Sequence, residues 1–242
     1  MTPYRGRFAP SPTGSLHAGS LVAALASYLD ARANGGSWRL RIDDIDPPRQ
    51  LPDSVCQIQD ALRCHGLEWH GEILFQSQHV AQYESALNKL WGQGYLFRCT
   101  CTRSSLAPNG ECVRSCSQQI HKTTQPHSIR VRTEPSFDSG YEDLFLGWQE
   151  GESSKTLRNF IVRRRDGLYA YQLAAAIDDA SPNFSHIIRG ADLLKSTHRQ
   201  RWLQLLLGLQ TPLYGHIPIM CDRSGAKLSK QSGALPLNTQ TA

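Results

Sequence analysis

The sequence predicts an α/β fold built on a parallel sheet and interrupted by a cysteine-bearing insert. Three observations carry that expectation. Segments of helical period alternate with short segments of strand period along most of the chain. Residues 99–127 break the alternation, being rich in Cys, Ser, Gln and Thr with little apolar spacing. The 242 residues, 40% hydrophobic and 19% charged, have a globular composition and enough length to bury a core without disulfides.

The elements follow in order. Val22, Leu25, Tyr28 and Leu29 recur at helical spacing within 19–33, and Gly35-Gly36 end the pattern. Trp38, Leu40 and Ile42 alternate with Arg39, Arg41 and Asp43, a strand pattern. A second helix is expected near 53–65 on Val55, Ile58 and Leu62, and a third near 79–92 on Val80, Tyr83, Leu87, Leu90 and Trp91. Residues 95–99 read as a strand, and after the insert the alternation resumes at 129–132. Two strands, 160–163 and 168–171, flank Asp166-Gly167 as a hairpin. Helices are expected near 172–180 and 197–207, and a strand near 216–221 leads into a Gly- and Lys-bearing loop. The expected division is 1–98, first half of the catalytic domain; 99–127, metal-binding insert; and 128–242, the remainder.

The 26 Lys and Arg against 21 Asp and Glu leave a net charge of +5, carried mostly by Arg. Guanidinium suits planar recognition of phosphate and carboxylate, so the charge permits a nucleic-acid partner without establishing one. No apolar run approaches the roughly 18–20 residues of a membrane span, and the N-terminus has no apolar signal-peptide core. A cytoplasmic address is expected, where thiols stay reduced and clustered cysteines indicate metal rather than disulfides.

Three motifs carry chemistry. Residues 7–20, Arg7-Phe8-Ala9-Pro10-Ser11-Pro12-Thr13-Gly14-Ser15-Leu16-His17-Ala18-Gly19-Ser20, end a strand and open a helix. A phosphate approaches such a helix start through its unpaired N–H groups and the positive end of its dipole. Gly19 keeps that approach open, and His17 adds a donor. The second motif, Lys227-Leu228-Ser229-Lys230-Gln231, brings two ammonium groups around the charge of a triphosphate. The third, Cys99-x-Cys101-x10-Cys112-x3-Cys116, supplies four thiolates, the full tetrahedral set for a structural Zn²⁺ with no open position. Cys56, Cys64 and Cys221 lie outside that spacing and are expected simply to pack. Arg163-Arg164-Arg165 reads as a solvated turn, and Asp178-Asp179 as a helix end that helps shape the pocket.

As an ordered pair, the first two motifs resemble the signatures of class I aminoacyl-tRNA synthetases, whose catalytic domain is Rossmann-type. Segments 6–14, 41–49, 188–192 and 227–231 resemble the glutamyl branch, and within it the short paralogues that act on queuosine in tRNA(Asp). The resemblance covers residues 4–233. It implies an ATP-dependent ligase that activates glutamate independently of tRNA, with Mg²⁺ on the phosphates and queuosine-bearing tRNA(Asp) as partner, acting as a monomer. Glutamate binding is implied for Arg7, Phe8, Ala9, Pro10, Ser11, Asp43, Tyr171 and Arg189. Arg189 would meet the side-chain carboxylate with Tyr171 beside it, and Asp43 the α-ammonium. ATP binding falls to His17, Gly19, Ser20 and Lys230, and catalysis to His17, Lys227 and Lys230.

The chain departs from the family pattern at two places. Asp43 stands where Glu is usual, one methylene shorter, and Cys112 stands where the fourth metal ligand is often Tyr. Two rival readings are a truncated glutamyl-tRNA synthetase charging a tRNA 3′ end and a non-catalytic zinc-bearing RNA-binding module. The twelve residues after Lys230 are too few for an anticodon-binding domain. Intact His17, Lys227 and Lys230 argue against the non-catalytic reading.

Overall fold

The computed structural model describes residues 3–106, 112, 116–118, 124–134, 137–138, 140–151, 157–221, 225 and 237. The first half is β1 (Arg5–Phe8), α1 (Ala18–Ala33), β2 (Ser37–Ile42), α2 (Ser54–Cys64), β3 (Leu74–Phe75), α3 (Val80–Gly92) and β4 (Leu96–Cys99). Then come β5 (Ser128–Val131), the hairpin β6 (Tyr141–Asp143) and β7 (Gly147–Gln149), and β8 (Phe160–Arg163). The chain continues through α4 (Tyr171–Asp179), β9 (His186–Gly190), α5 (Leu194–Leu207) and β10 (Leu213–Ile217).

Strands β1, β2 and β3 pair in parallel, and β9 pairs in parallel with β10. The two groups meet at β1 and β9, where the Ser185 N–H donates to the Arg5 carbonyl (2.8 Å) and the Arg5 N–H to the Ser185 hydroxyl (2.8 Å). The starts of β1 and β9 are thus tied together, and the far ends of both line one cavity, so the strands run the same way. The resulting order, β3-β2-β1-β9-β10, reverses direction between β1 and β9. In open α/β sheets that reversal leaves a crevice beyond the carboxyl ends of the strands, where ligands bind.

The expected helices all form, with ends shifted by a few residues. Which face of α1 is buried differs from the sequence expectation. Val22, Leu25 and Leu29 are exposed, and Ala24, Ser27 and Ala31 face the sheet. The bulk in this layer comes from the strand: Trp38 is wholly buried, its indole N–H donates to the Ser27 hydroxyl (2.9 Å), and Tyr28 meets it edge-on. A helix lying on so large a side chain needs small residues at the contact, which a scale of hydrophobicity alone misses.

The sheet is not parallel throughout. Strands β4, β5 and β8 form a separate antiparallel sheet, and the 168–171 segment contributes only a single bridge, Arg163 with Tyr169, before α4 starts at Tyr171. The cysteine-bearing segment leaves this sheet between β4 and β5, where Cys99 pairs with Ser128. One core of Trp38, Leu40, Ile42, Ile58 and Leu62 lies under the first strands, and a second, around Leu87, Leu90, Val162, Leu173 and Leu203, joins α3, α4 and α5. Among the described residues no helix is long and apolar enough to cross a membrane.

Candidate active site

The crevice at the β1/β9 reversal is a cavity of about 330 Å³. The β1 end and following loop bring Arg7, Phe8, Ala9, Pro10 and Ser11 to it; the α1 start adds His17, Gly19 and Ser20. Asp43 enters from the end of β2, Tyr171 from the start of α4, and Arg189 from β9. Every sequence-expected glutamate or ATP residue within the described part therefore lines one cavity. Lys227 and Lys230 lie outside the described residues.

His17 does two things at once. It is the N-cap of α1, and its Nδ1 accepts the Ser20 N–H at 3.2 Å. In a neutral ring that bond leaves the proton on Nε2, so the imidazole is a donor at its other edge. The remaining helix-start N–H groups and the dipole favour an anion there.

At the cavity floor four charges interlock, with Arg7 and Asp43 lining it and Arg41 and Asp179 behind them. Asp179, at the end of α4, takes both Arg7 Nε (3.1 Å) and Arg7 Nη2 (2.8 Å), and Arg41 Nη1 (2.7 Å). Arg41 also donates through Nε to Asp43 (2.7 Å). All four side chains are buried. The carboxylates differ in character. Burial pushes Asp43 up to about 6, against the pull of Arg41. For Asp179 burial also acts upward, but Arg7 and Arg41 outweigh it and hold the group well below the usual carboxylate range. The Asp43 backbone N–H donates to the Pro10 carbonyl (2.9 Å) and fixes the β2 end against the β1 loop. Asp178, the neighbour of Asp179, faces away and accepts from Gln76 (2.7 Å), His79 (2.8 Å) and Tyr83 (2.7 Å). The acidic pair is thus a helix end with two ion-pairing and hydrogen-bonding jobs.

On the opposite wall, Arg189 is buried, with its guanidinium carbon 5.0 Å from the Tyr214 ring centre. It donates to His216 Nε2 (3.2 Å), to the Thr197 hydroxyl (2.8 Å) and, at 3.5 Å, toward the Tyr171 hydroxyl. His216 in turn bonds Asp143 (2.5 Å). Thr197, His216 and Asp143 carry no sequence motif; they come from α5, β10 and β6 and meet only in the fold.

The sulfur atoms of Cys99, Cys101, Cys112 and Cys116 lie within 4.8 Å of one another, with Cys101 and Cys112 at 3.2 Å. Four thiolates about 2.3 Å from one ion lie about 3.8 Å apart, so the donor set and spacing fit a tetrahedral metal. Burial pushes Cys116 up to about 12 and raises Cys99, so the thiolate form of this cluster calls for a cation. Cys56, Cys64 and Cys221 are exposed rather than packed in the core. The three arginines of the β8 turn are tied to the protein itself. Arg163 reaches Glu84 (3.3 Å), Arg164 reaches Asp46 (3.0 Å) and Asp166 (2.5 Å), and Arg165 donates to the carbonyls of Thr100 and Cys101 at the base of the cysteine segment.

The cavity thus joins the start of α1 on one side to the buried Arg189 on the other, at the reversal point of a Rossmann-type sheet, the architecture of a class I synthetase catalytic domain. The family model for tRNA synthetases class I (E and Q), catalytic domain, matches residues 4–241, and the chain belongs to that family. Among its curated relatives it is 45% identical over 239 residues to Glutamyl-Q tRNA(Asp) synthetase of Pseudomonas fluorescens, covering 99% of this chain and 80% of the relative. To the Glutamyl-Q tRNA(Asp) synthetase of Bordetella bronchiseptica it is 46% identical over 247 residues, covering 97% and 77%. A glutamate tRNA ligase from Elizabethkingia meningosepticum, solved in complex with its amino acid, superposes with a TM-score of 0.79 at 26% identity, over 95% of this chain and 52% of the ligase. The chain spans about half the length of that ligase.

Proposed function

We propose that the chain activates glutamate with ATP, without tRNA, and transfers the glutamyl group to queuosine in the anticodon of tRNA(Asp). The observation that carries this reading is the cavity at the β1/β9 reversal, which unites a helix start fit for phosphate with a buried, held Arg189. The names borne by relatives about 45% identical over nearly the whole chain point to queuosine as the acceptor.

Glutamate lies with its side-chain carboxylate on Arg189, beside the Tyr171 hydroxyl, its α-ammonium on Asp43, and its α-carboxylate toward the helix start. Residues 8–11 and Arg7 form the floor beneath it. An oxygen of the α-carboxylate attacks the α-phosphorus of ATP in line, the bond to the bridging oxygen breaks, and pyrophosphate leaves. His17 Nε2, the N–H groups near Gly19 and Ser20, and the ammonium groups of Lys227 and Lys230 stabilise the charge that builds on the phosphates. Mg²⁺ bound to those phosphates supplies further neutralisation. A hydroxyl oxygen of the queuosine ring then bonds the glutamyl carbonyl carbon, the bond from that carbon to the phosphate oxygen breaks, AMP departs, and the hydroxyl proton is released to solvent. No side chain becomes covalently attached; the domain positions and stabilises. Cys99, Cys101, Cys112 and Cys116 hold one structural Zn²⁺. The protein works in the cytoplasm as a monomer.

The test has two parts. Glutamate-dependent ATP–pyrophosphate exchange should proceed with no tRNA present. Labelled glutamate should then reach tRNA(Asp) carrying queuosine and neither unmodified tRNA(Asp) nor tRNA(Glu). Labelling of tRNA(Glu) would favour the truncated-synthetase reading.

A further inference from the structure

We propose that Asp143 and His216 are positioning residues: they lock the Arg189 guanidinium in the orientation that takes a carboxylate, and so set the preference for glutamate over glutamine. The inference rests on the assignment of Arg189 to the side-chain carboxylate.

The proton positions follow from the contacts. Asp143 Oδ1 accepts three backbone N–H groups, from His216 (3.0 Å), Phe145 (3.1 Å) and Leu146 (3.1 Å), which leaves its carboxylate no freedom to turn. Its Oδ2 meets His216 Nδ1 at 2.5 Å. An ionised carboxylate only accepts, so the imidazole proton sits on Nδ1. The His216 side chain is fully buried beside Arg189, with Asp143, Asp192, Thr197, Tyr141 and Tyr214 around it. Burial and the arginine push it down to about 4, so the ring stays neutral. Nε2 therefore presents a lone pair, at which Arg189 Nε–H points from 3.2 Å, with the Thr197 hydroxyl oxygen beside it at 3.0 Å.

The Arg189 plane also lies over Tyr214, and the Thr197 hydroxyl takes one Nη2 proton. The guanidinium is held on a face and along an edge. Of its five N–H groups, the three bonds to His216, Thr197 and Tyr171 leave two without a partner among the described residues, on a side chain that lines the cavity. Two is what a carboxylate accepts from arginine in its paired geometry. A glutamine amide would set its own N–H₂ against a fixed N–H. A loosely held arginine could swing aside from that clash; one locked through Nε has nowhere to go, and rejection of the wrong substrate follows from that fixity.

The experiment measures KM and kcat for glutamate, and the inhibition constant of glutamine, in pyrophosphate exchange by the full chain. Asp143→Asn is nearly isosteric, and its carbonyl keeps the backbone bonds. Its N–H₂ faces Nδ1, moves the ring proton to Nε2 and opposes Arg189 Nε–H. The glutamate KM should rise about tenfold or more, the worth of one hydrogen bond to a charged group, with kcat within about threefold. Glutamine inhibition should be unchanged, so the preference falls by the same factor. His216→Leu should do the same, and His216→Gln, whose side-chain oxygen reaches toward the Nε2 position, should recover most of the preference. Equal weakening of glutamate and glutamine, loss confined to kcat, or no advantage of Gln over Leu at 216 would overturn the inference. Arg189→Lys separates the two levels. If it leaves the glutamate KM unmoved, the assignment of Arg189 itself fails. If it raises KM while Asp143→Asn does not, only the positioning role falls.

Discussion

Replacing Asp179 by Asn should cost far more than the loss of a single hydrogen bond. Arg7, Arg41, Asp43 and Asp179 carry two positive and two negative charges, and all four are buried. Asp179 accepts three bonds from the two arginines, at 3.1, 2.8 and 2.7 Å. Asn keeps one oxygen but turns the other into N–H₂ facing a guanidinium N–H, and it leaves one buried positive charge uncompensated. Breaking a buried pair in this way costs about 3–5 kcal/mol, a large share of the roughly 5–15 kcal/mol that holds a domain together. At roughly 2–4 °C per kcal/mol for a chain of this size, the melting temperature should drop by about 6–20 °C. Because the pairing holds Asp179 below the usual carboxylate range, the deficit is full above roughly pH 4 and shrinks as pH falls below it, where the unfolded-state carboxylate takes up its proton first. The assay is thermal and urea unfolding followed by circular dichroism at pH 7 and pH 3.5. A second variant closes the argument: Asp179→Asn with Arg41→Gln restores neutrality and should recover part of the loss, although it removes more bonds. A deficit under about 1 kcal/mol at pH 7, or a double variant weaker than the sum of its singles, would refute the charge accounting.

Other outcomes follow from the same geometry. Asp43, held up at about 6 by burial, loses its charge as pH falls through that value, so the glutamate KM should climb between pH 7 and pH 5; pyrophosphate exchange across that range measures it, and Asp43→Asn should flatten the profile at a high KM. Lys230→Ala should lose at least about 2 kcal/mol of transition-state stabilisation, roughly thirtyfold in kcat/KM, as removal of one preorganised donor does. Cys112→Ser should lower the metal content below one ion per chain and loosen the cysteine segment to proteolysis, with glutamate activation less affected. X-ray absorption of the unaltered protein should show sulfur alone around zinc.

How much of this was legible in the sequence depended on distance along the chain. The strand–loop–helix motif from Arg7 to Ser20 was readable because its turn chemistry, glycine and histidine are contiguous. Cys99 to Cys116 was readable because metal ligation imposes a spacing. Arg189, Tyr171 and Asp43 came through resemblance rather than through any local pattern. The outward stripe of α1 was misread because Trp38, not the helix, fills that layer. The antiparallel β4-β5-β8 sheet was hidden because short strands look alike whichever way their neighbours run. The support behind Arg189 was invisible, since Asp143 and His216 stand 73 residues apart and neither sits in a motif. Asp178-Asp179 was noticed, but its division of labour depends on which way each side chain leaves the helix end.

The pairing of Cys99 with Ser128 brings together the two ends of the cysteine-bearing segment. Opposed residues of an antiparallel pair stand only about 5 Å apart. The chain therefore enters and leaves the segment at nearly the same point, and Arg165, through the Thr100 and Cys101 carbonyls, and Arg132, through the Ser117 carbonyl, tie it to the neighbouring strands. Changes in its length need not shift β4, β5 or anything beyond them. A segment whose two ends meet in this manner can change length beyond those ties while the crevice at the β1/β9 reversal stays as it was.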